Sequence, residues 1–292
     1  MEADYNLQKY LSFVTTAEHG SFTRAAEILN YSQSSISRMI SDLEKEWGLT
    51  LLERKGTSVK PTSDGMKLLP YAERLAAEFQ SLQNEVSLLN GLDSGLIRIA
   101  TFSSVASQWL PNIIKEFKKH YPNIEYELLI GDYPEIRKWV MEGRADCGFN
   151  ILPVRDCDSI FMEDDEFVVV IPFDHPLAGE ERFPFRALED YPFMLLGKGE
   201  DSEIKNIPDL KDLNIDVKLT TLDDYAIMSM VESGLGISIL PRLILKRNPY
   251  RICVKSLEKP VFRKIGLTFR DKNTISSAMK KFVDYLEYRN NA

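Results

Sequence analysis

The sequence predicts a multidomain α+β chain: an N-terminal winged helix-turn-helix, a long coiled-coil linker helix, and a C-terminal α/β domain of two subdomains. Three observations carry this. Residues 20–65 hold two short amphipathic helix patterns around a tight break, followed by a hairpin-like segment. Residues 68–89 repeat apolar side chains at alternating steps of four and three. From Gly95 onward, strand patterns alternate with helical ones.

The first helix pattern runs from Phe22 to Leu29, with Ser21 placed to cap it and Ala25, Ala26 and Leu29 on one face, widened by Ile28. After the break at Asn30-Tyr31, Ser32 opens a second helix whose buried stripe is Ile36, Ile40 and Leu43. Gln33, Ser34, Ser37, Arg38 and Ser41 then face outward. Short hydroxyls allow close approach to a duplex, and glutamine or arginine reads base edges or holds phosphates. An ordinary solvated helix shows the same polar face, so the following segment matters. Trp47-Gly48 ends the helix, Leu49–Leu52 is apolar, residues 53–58 read as a turn, and Val59-Lys60 returns as a strand. That is a wing carrying Arg54, Lys55 and Lys60 beside the second helix, the shape of a head that enters the major groove of double-stranded DNA.

The pattern Phe13, Gly20-Ser21-Phe22, Ala25-Ala26, Leu29, Ser32-Gln33, Ser37-Arg38, Ile40, Leu43-Glu44, Gly48, Leu51, Arg54, Thr62 and Gly65 resembles the N-terminal domain of LysR-type transcriptional regulators. The resemblance implies that Gln33, Ser34 and Ser37 face bases while Arg38 and the wing face the backbone. Two positions depart from the family: Ser34 stands where proline is frequent, and Leu52 where phenylalanine is.

Composition sets limits. The chain has 292 residues, 44% hydrophobic and 27% charged, with a formal net charge of −8. Its first 65 residues carry about as many acids as bases, so DNA binding must rely on local basic points and on avidity between subunits. There is no secretory h-region and no apolar run long enough for a membrane span, which predicts a cytoplasmic protein without a membrane partner. Cys147, Cys157 and Cys253 fit free thiols in a reducing compartment; Cys147 with Cys157 is the one conceivable redox pair, against buried inert thiols. His19, His120 and His175 lack metal-site spacing, and no cofactor is expected.

Leu68, Ala72, Leu75, Phe79, Leu82, Val86 and Leu89 keep a 3.5-residue repeat with polar residues outside it, the mark of a seam that pairs with a second copy. Pro70 starts or bends this helix and Asn90-Gly91 stops it. It is similar to the linker helix of the same family.

The alternating part reads as strand 96–101, helix 105–120 with Leu110-Pro111 inside it, strand 124–130, helix 133–141 and strand 145–149. A second set comprises strands 166–172, 193–196 and 217–220, helix 223–233 and strand 236–240. Strand 261–269 and helix 275–288 return to the first set. Such alternation predicts mostly parallel sheets. It resembles the periplasmic-binding-protein-like effector domain of LysR-type regulators, and Gly143-Arg144-Ala145-Asp146, residues 232–237 and Leu240-Pro241 match recurrent stretches there.

Residues 1–65 are thus expected to form the DNA-binding domain, 66–91 the dimerisation helix and 92–292 the effector domain. Within the last, subdomain I takes about 92–161 and 263–292, and subdomain II about 162–262. Ligands of open α/β sheets lie beyond strand C-termini, where helix N–H groups point. That selects Thr101, Phe102, Ser103, Ser104, Gly131, Asp132 and Asn150 from one subdomain, and Gly197, Lys198, Gly199, Thr221 and Asp223 from the other. Hydroxyl-rich helix starts suit a small carboxylate. Asp132, Asp223 and Asp224 either meet an amine, as in an amino acid, or cap helices.

The expected function is a ligand-responsive transcription regulator, homodimeric and, as the resemblance implies, homotetrameric, with RNA polymerase as an open further partner. The alternatives are a solute-binding protein, an α/β enzyme, and a regulator answering to redox or a protein. No Gly-x-Ser-x-Gly elbow, Walker-type phosphate loop or dinucleotide fingerprint supports an enzyme.

Overall fold

The computed structural model describes residues 2–55, 58–89, 94–197, 204 and 207–290. It opens with a helix that the periodicity did not announce, α1 (Glu2–His19). Its Phe13 is fully buried among Ala25, Ile36, Ile40, Leu43 and Leu51. α2 (Phe22–Leu29) and α3 (Gln33–Trp47) follow as expected. Ser21 accepts from the Arg24 N–H and Ser32 from the Ser35 N–H, so both hydroxyls cap. Asn30 (φ 56°) and Gly48 (φ 66°) end the helices in the left-handed region.

The wing is β1 (Leu52–Lys55) and β2 (Ser58–Pro61), paired antiparallel. Residues 53–55 therefore belong to a strand rather than to the expected turn, because Glu53 and Arg54 pair with Lys60 and Val59. α4 (Ser63–Leu89) starts earlier than expected and runs through Pro70. Pro70 is past its second turn, where the lost N–H bond is outweighed by packing of Leu68, Leu69 and Ala72 on the head. Leu75, Leu82 and Val86 are exposed, whereas the side chain of Leu89 and the stop at Asn90-Gly91 lie outside the described residues.

The effector domain is one nine-stranded mixed sheet rather than two mostly parallel ones. β3 (Ser94–Thr101), β4 (Asn123–Ile130) and β5 (Cys147–Ile151) form a parallel set. β8 (Phe193–Leu196), β9 (Val217–Thr221) and β10 (Ile237–Pro241) form another. Two long antiparallel strands, β6 (Asp158–Pro172) and β11 (Ile252–Phe269), join them in the order β4-β3-β5-β11-β6-β10-β8-β9. β7 (Arg182–Phe183) adds a short parallel pairing to β11.

Each set has its own apolar core, one around Trp109, Phe117, Phe149 and Phe282, the other around Phe167, Phe183, Phe193 and Ile239. The expected helix 105–120 is two, α5 (Ser103–Gln108) and α6 (Leu110–His120), broken at Trp109. Pro111 sits in the first turn of α6, where its missing N–H costs least. α7 (Tyr133–Met141), α8 (Asp224–Glu232) and α9 (Ser277–Asp284) complete the layers; α9 ends early in a 3-10 turn, Leu286–Asn290.

Candidate nucleic-acid interface and effector cleft

At the head, the first turn of α3 is presented by its cap. Gln33, Ser34 and Arg38 are exposed, while Ser37 and Ser41 are half-buried. The Ser32 hydroxyl lies 2.9 Å from that of Ser34 and 2.8 Å from that of Ser35, a cluster of exchangeable donors and acceptors. Arg38 lies 3.9 Å from Asp42, a loose pair with the guanidinium largely in water. The wing is bolted beside this helix by Glu44, whose Oε1 accepts the Leu51 and Leu52 N–H groups at 2.7 and 3.2 Å. On the other side Val59 N–H donates to the Gly20 carbonyl at 2.9 Å. Lys60 is exposed on β2; Arg54 and Lys55 lie on β1, their side chains outside the described set. Glu44 belongs to the quoted pattern, but nothing in its spacing marked it as the wing's anchor.

In the effector domain, the two sets meet where β6 crosses β11, and there Asp165 stands opposite Arg263. Both are buried. Arg263 donates Nε and Nη2 to Asp165 Oδ2 at 3.0 and 2.8 Å, Nη2 also to Ser104 Oγ at 2.9 Å, and Nη1 to Tyr133 Oη at 2.7 Å. Its guanidinium lies 4.9 Å from the Phe102 ring centroid. Asp165 Oδ1 accepts the Leu243 N–H at 2.8 Å. The cluster extends to Asp224 at the start of α8, whose carboxyl is hydrogen-bonded by the Ser103 side chain. Burial raises that carboxyl to about 6, against the opposing pull of Arg263.

Phe102, Ser103 and Ser104 are therefore brought together, but Ser104 is committed to Arg263 instead of standing free. Thr101 and Asn150 are buried and bonded locally, Asn150 donating to the Tyr133 carbonyl at 3.0 Å. Asp132 closes a capping box with Glu135 on α7, and Asp223 caps α8 through the Tyr225 and Ala226 N–H groups. Gly131 packs against the Trp139 ring. Gly197 donates to the Thr221 carbonyl at 2.9 Å, and Thr221 Oγ1 accepts the Asp223 N–H at 3.2 Å. Lys198 and Gly199 lie outside the described residues.

Arg263, Asp165 and Tyr133 were not among the sequence candidates. A signal existed: Arg263 is in phase with buried Ile265, Leu267 and Phe269, and Asp165 with buried Phe167, Val169 and Ile171. Cys147 and Cys157, the conceivable redox pair, offer little thiolate. Cys147 is fully buried and its thiol pushed well up, and burial also raises half-buried Cys157, whose Sγ donates to Met141 Sδ at 3.5 Å.

Both parts of the chain match known families. Residues 7–66 match the bacterial regulatory helix-turn-helix protein of the lysR family, and residues 90–290 the LysR substrate binding domain. The chain belongs to the LysR family. The regulator is 32% identical over 264 residues, 89% of each chain, to the probable transcriptional regulator LrrA of Synechococcus elongatus. Its fold is shared with a full-length OxyR variant from Pseudomonas aeruginosa (TM-score 0.75, 21% identity, 98% of each chain). It is shared as well with CbnR solved with its target DNA (TM-score 0.71, 19% identity, 96% and 98% of the two chains). The regulator is a DNA-binding transcription regulator with an effector-binding domain, and the matched families are regulators, not enzymes. No helix among the described residues is long and apolar enough to cross a membrane.

Proposed function

We propose that the regulator works in the cytoplasm as a homodimer joined by α4 and assembled further into a tetramer, with residues 1–65, 66–91 and 92–292 as head, linker and sensor. The observation that carries the DNA reading is the exposed first turn of α3 beside a wing bolted down by Glu44. In this reading Gln33, Ser34 and the Ser32 hydroxyl cluster address base edges, whereas Arg38, Arg54, Lys55 and Lys60 hold phosphates and RNA polymerase is met from the bound dimer. Selection of duplexes from a random pool by the full chain tests it. Enrichment of a two-fold-related site is expected, and no enrichment above input would sink the reading.

The effector is a small molecule bound between the subdomains. Arg263 and Asp165 are committed to each other at the crossover, and the carboxyl beside them, Asp224, suits the amine of an amino acid better than a simple anion. At about a hundred times its dissociation constant such a ligand adds about 2.7 kcal/mol and raises the melting point by a few degrees. Titrating the full chain with amino acids and with matched carboxylates tests the class. A response to carboxylates alone removes the role given to Asp224, and no response to either removes the class while leaving the DNA reading standing.

A further inference from the structure

The sensor touches the DNA-binding arm of its own chain through α9, which packs on α4, and through one neighbouring turn. Between α7 and β5, Gly143 takes φ 72°, a conformation glycine accepts freely, and its backbone lies against α4. A Cβ built on Gly143 would stand 3.6 Å from Ala77 Cβ and 4.0 Å from Arg74 Cγ. Two ion pairs flank this contact. Arg270, just beyond β11, pairs with Glu78 of α4, and Arg144 Nη2 lies 3.4 Å from Glu18 of α1. One pair thus reaches the linker helix and the other the head itself. All four side chains are between a third and three-fifths exposed, so each pair is weak and salt-sensitive on its own. Glu73, also on α4, has its carboxyl raised by burial, against the opposing pull of Arg144. A small cleft remains beside the contact, lined by Ala77, Glu78, Asp146, Arg270 and Met279.

We propose that this turn and the two arginines form a reversible clasp that holds subdomain I on the head and linker of the same chain, and that effector binding reaches the DNA by shifting the clasp's equilibrium. The relay rests on the effector reading above; the clasp does not. Its strength is matched to the task, since a contact held by two exposed pairs opens for a modest difference in effector affinity between states.

A Cβ built on Gly143 would lie within the Cβ–Cβ range of a disulfide from Ala77, with φ 72° adding strain to any side chain placed there. In a full chain carrying Cys157→Ser and Cys253→Ser, Ala77→Cys with Gly143→Cys should oxidise to a cross-link within one chain, identified by peptide mass. Glu78→Arg should slow its formation by about fivefold or more, and adding Arg270→Glu should restore it. A link only between chains, or a rate indifferent to both reversals, overturns the clasp. The reversals are also read in the otherwise natural chain by affinity for the selected duplex, which needs no change at Gly143. A shift of about threefold with Glu78→Arg, recovered by Arg270→Glu, is expected; a shift that the second reversal leaves in place overturns it. Finally, an effector found by titration should change the cross-linking rate, and an unchanged rate with saturating effector overturns the relay but not the clasp.

Discussion

Arg263 and Asp165 bind each other where both strands pass from one subdomain to the other, and almost no water reaches either. Removing one partner strands a buried charge. Asp165→Ala or Arg263→Ala should therefore cost about 3–5 kcal/mol, read as a shift in the urea midpoint. A loss below about 1 kcal/mol, the range of an exposed pair, would show that solvent reaches the cluster. Ser104→Ala removes only one of the partners of Arg263 and should cost less, though more than a free cleft hydroxyl would. Asp224 acts in the opposite direction. Its carboxyl titrates near 6 in the folded chain and about 4 when unfolded, so the folded state binds the proton more tightly. Its contribution is fully present below about pH 4 and is lost as pH rises through 6, up to about 3 kcal/mol. Asp224→Asn should remove that slope from the stability profile and stabilise the chain at pH 7; an unchanged profile would place the titration elsewhere. The charges of this cluster were legible only by strand phase. Strand reasoning assigns in-phase positions to the core, where an arginine is out of place until its cross-strand partner is known.

At the scale of elements, the head was legible because its signals are local. Caps lie three residues from the N–H groups they accept, and the buried stripes of α2 and α3 are read from one turn to the next. α1 was not, because its face is made by Phe13 and by buried polar residues such as Ser12 and Thr16, which carry no apolar rhythm. The break at Trp109 was hidden because its residues remain helix-compatible, and only Pro111 marks it. On α3, Gln33→Ala should relax base preference at one position. Arg38→Ala should weaken all sequences alike and lower the salt slope by about one. The reverse pattern in binding titrations would exchange their roles. Where α4 leaves the wing, helix propensity and packing disagree about Gly65. In an open helix Gly→Ala stabilises by about 1 kcal/mol, but a Cβ here would lie 2.1 Å from the Leu51 carbonyl oxygen. Overpacking against backbone should win, so Gly65→Ala is expected to lower stability by about 1–3 kcal/mol. A rise in melting temperature would show that the wing yields instead.

For the whole molecule, Leu75, Leu82 and Val86 leave an apolar stripe on α4 uncovered by its own chain, past the point where Leu68 and Ala72 are absorbed by the head. Leu82→Glu should shift sedimentation toward the monomer and weaken DNA binding far more than Gln33→Ala does. Retention of the dimer would move the subunit contact off this helix. The order of strands and helices was largely legible, because alternation survives in any single window. Continuity of the sheet was not: the pairing of β6 with β11 joins residues about a hundred apart and leaves no local trace.

That pairing also sets a timetable for synthesis. β5 takes one of its neighbours from the last strand of the chain, so the first half of the sensor waits, half-built, while the whole of the second half is translated. At ordinary elongation rates the interval is on the order of 10 s. The head has every one of its core residues by Ala72 and faces no such delay. Each nascent chain therefore passes through a period in which its DNA-binding end is complete and its sensing end is not, and a ribosome stalled in that interval would carry a head with no sensor to govern it.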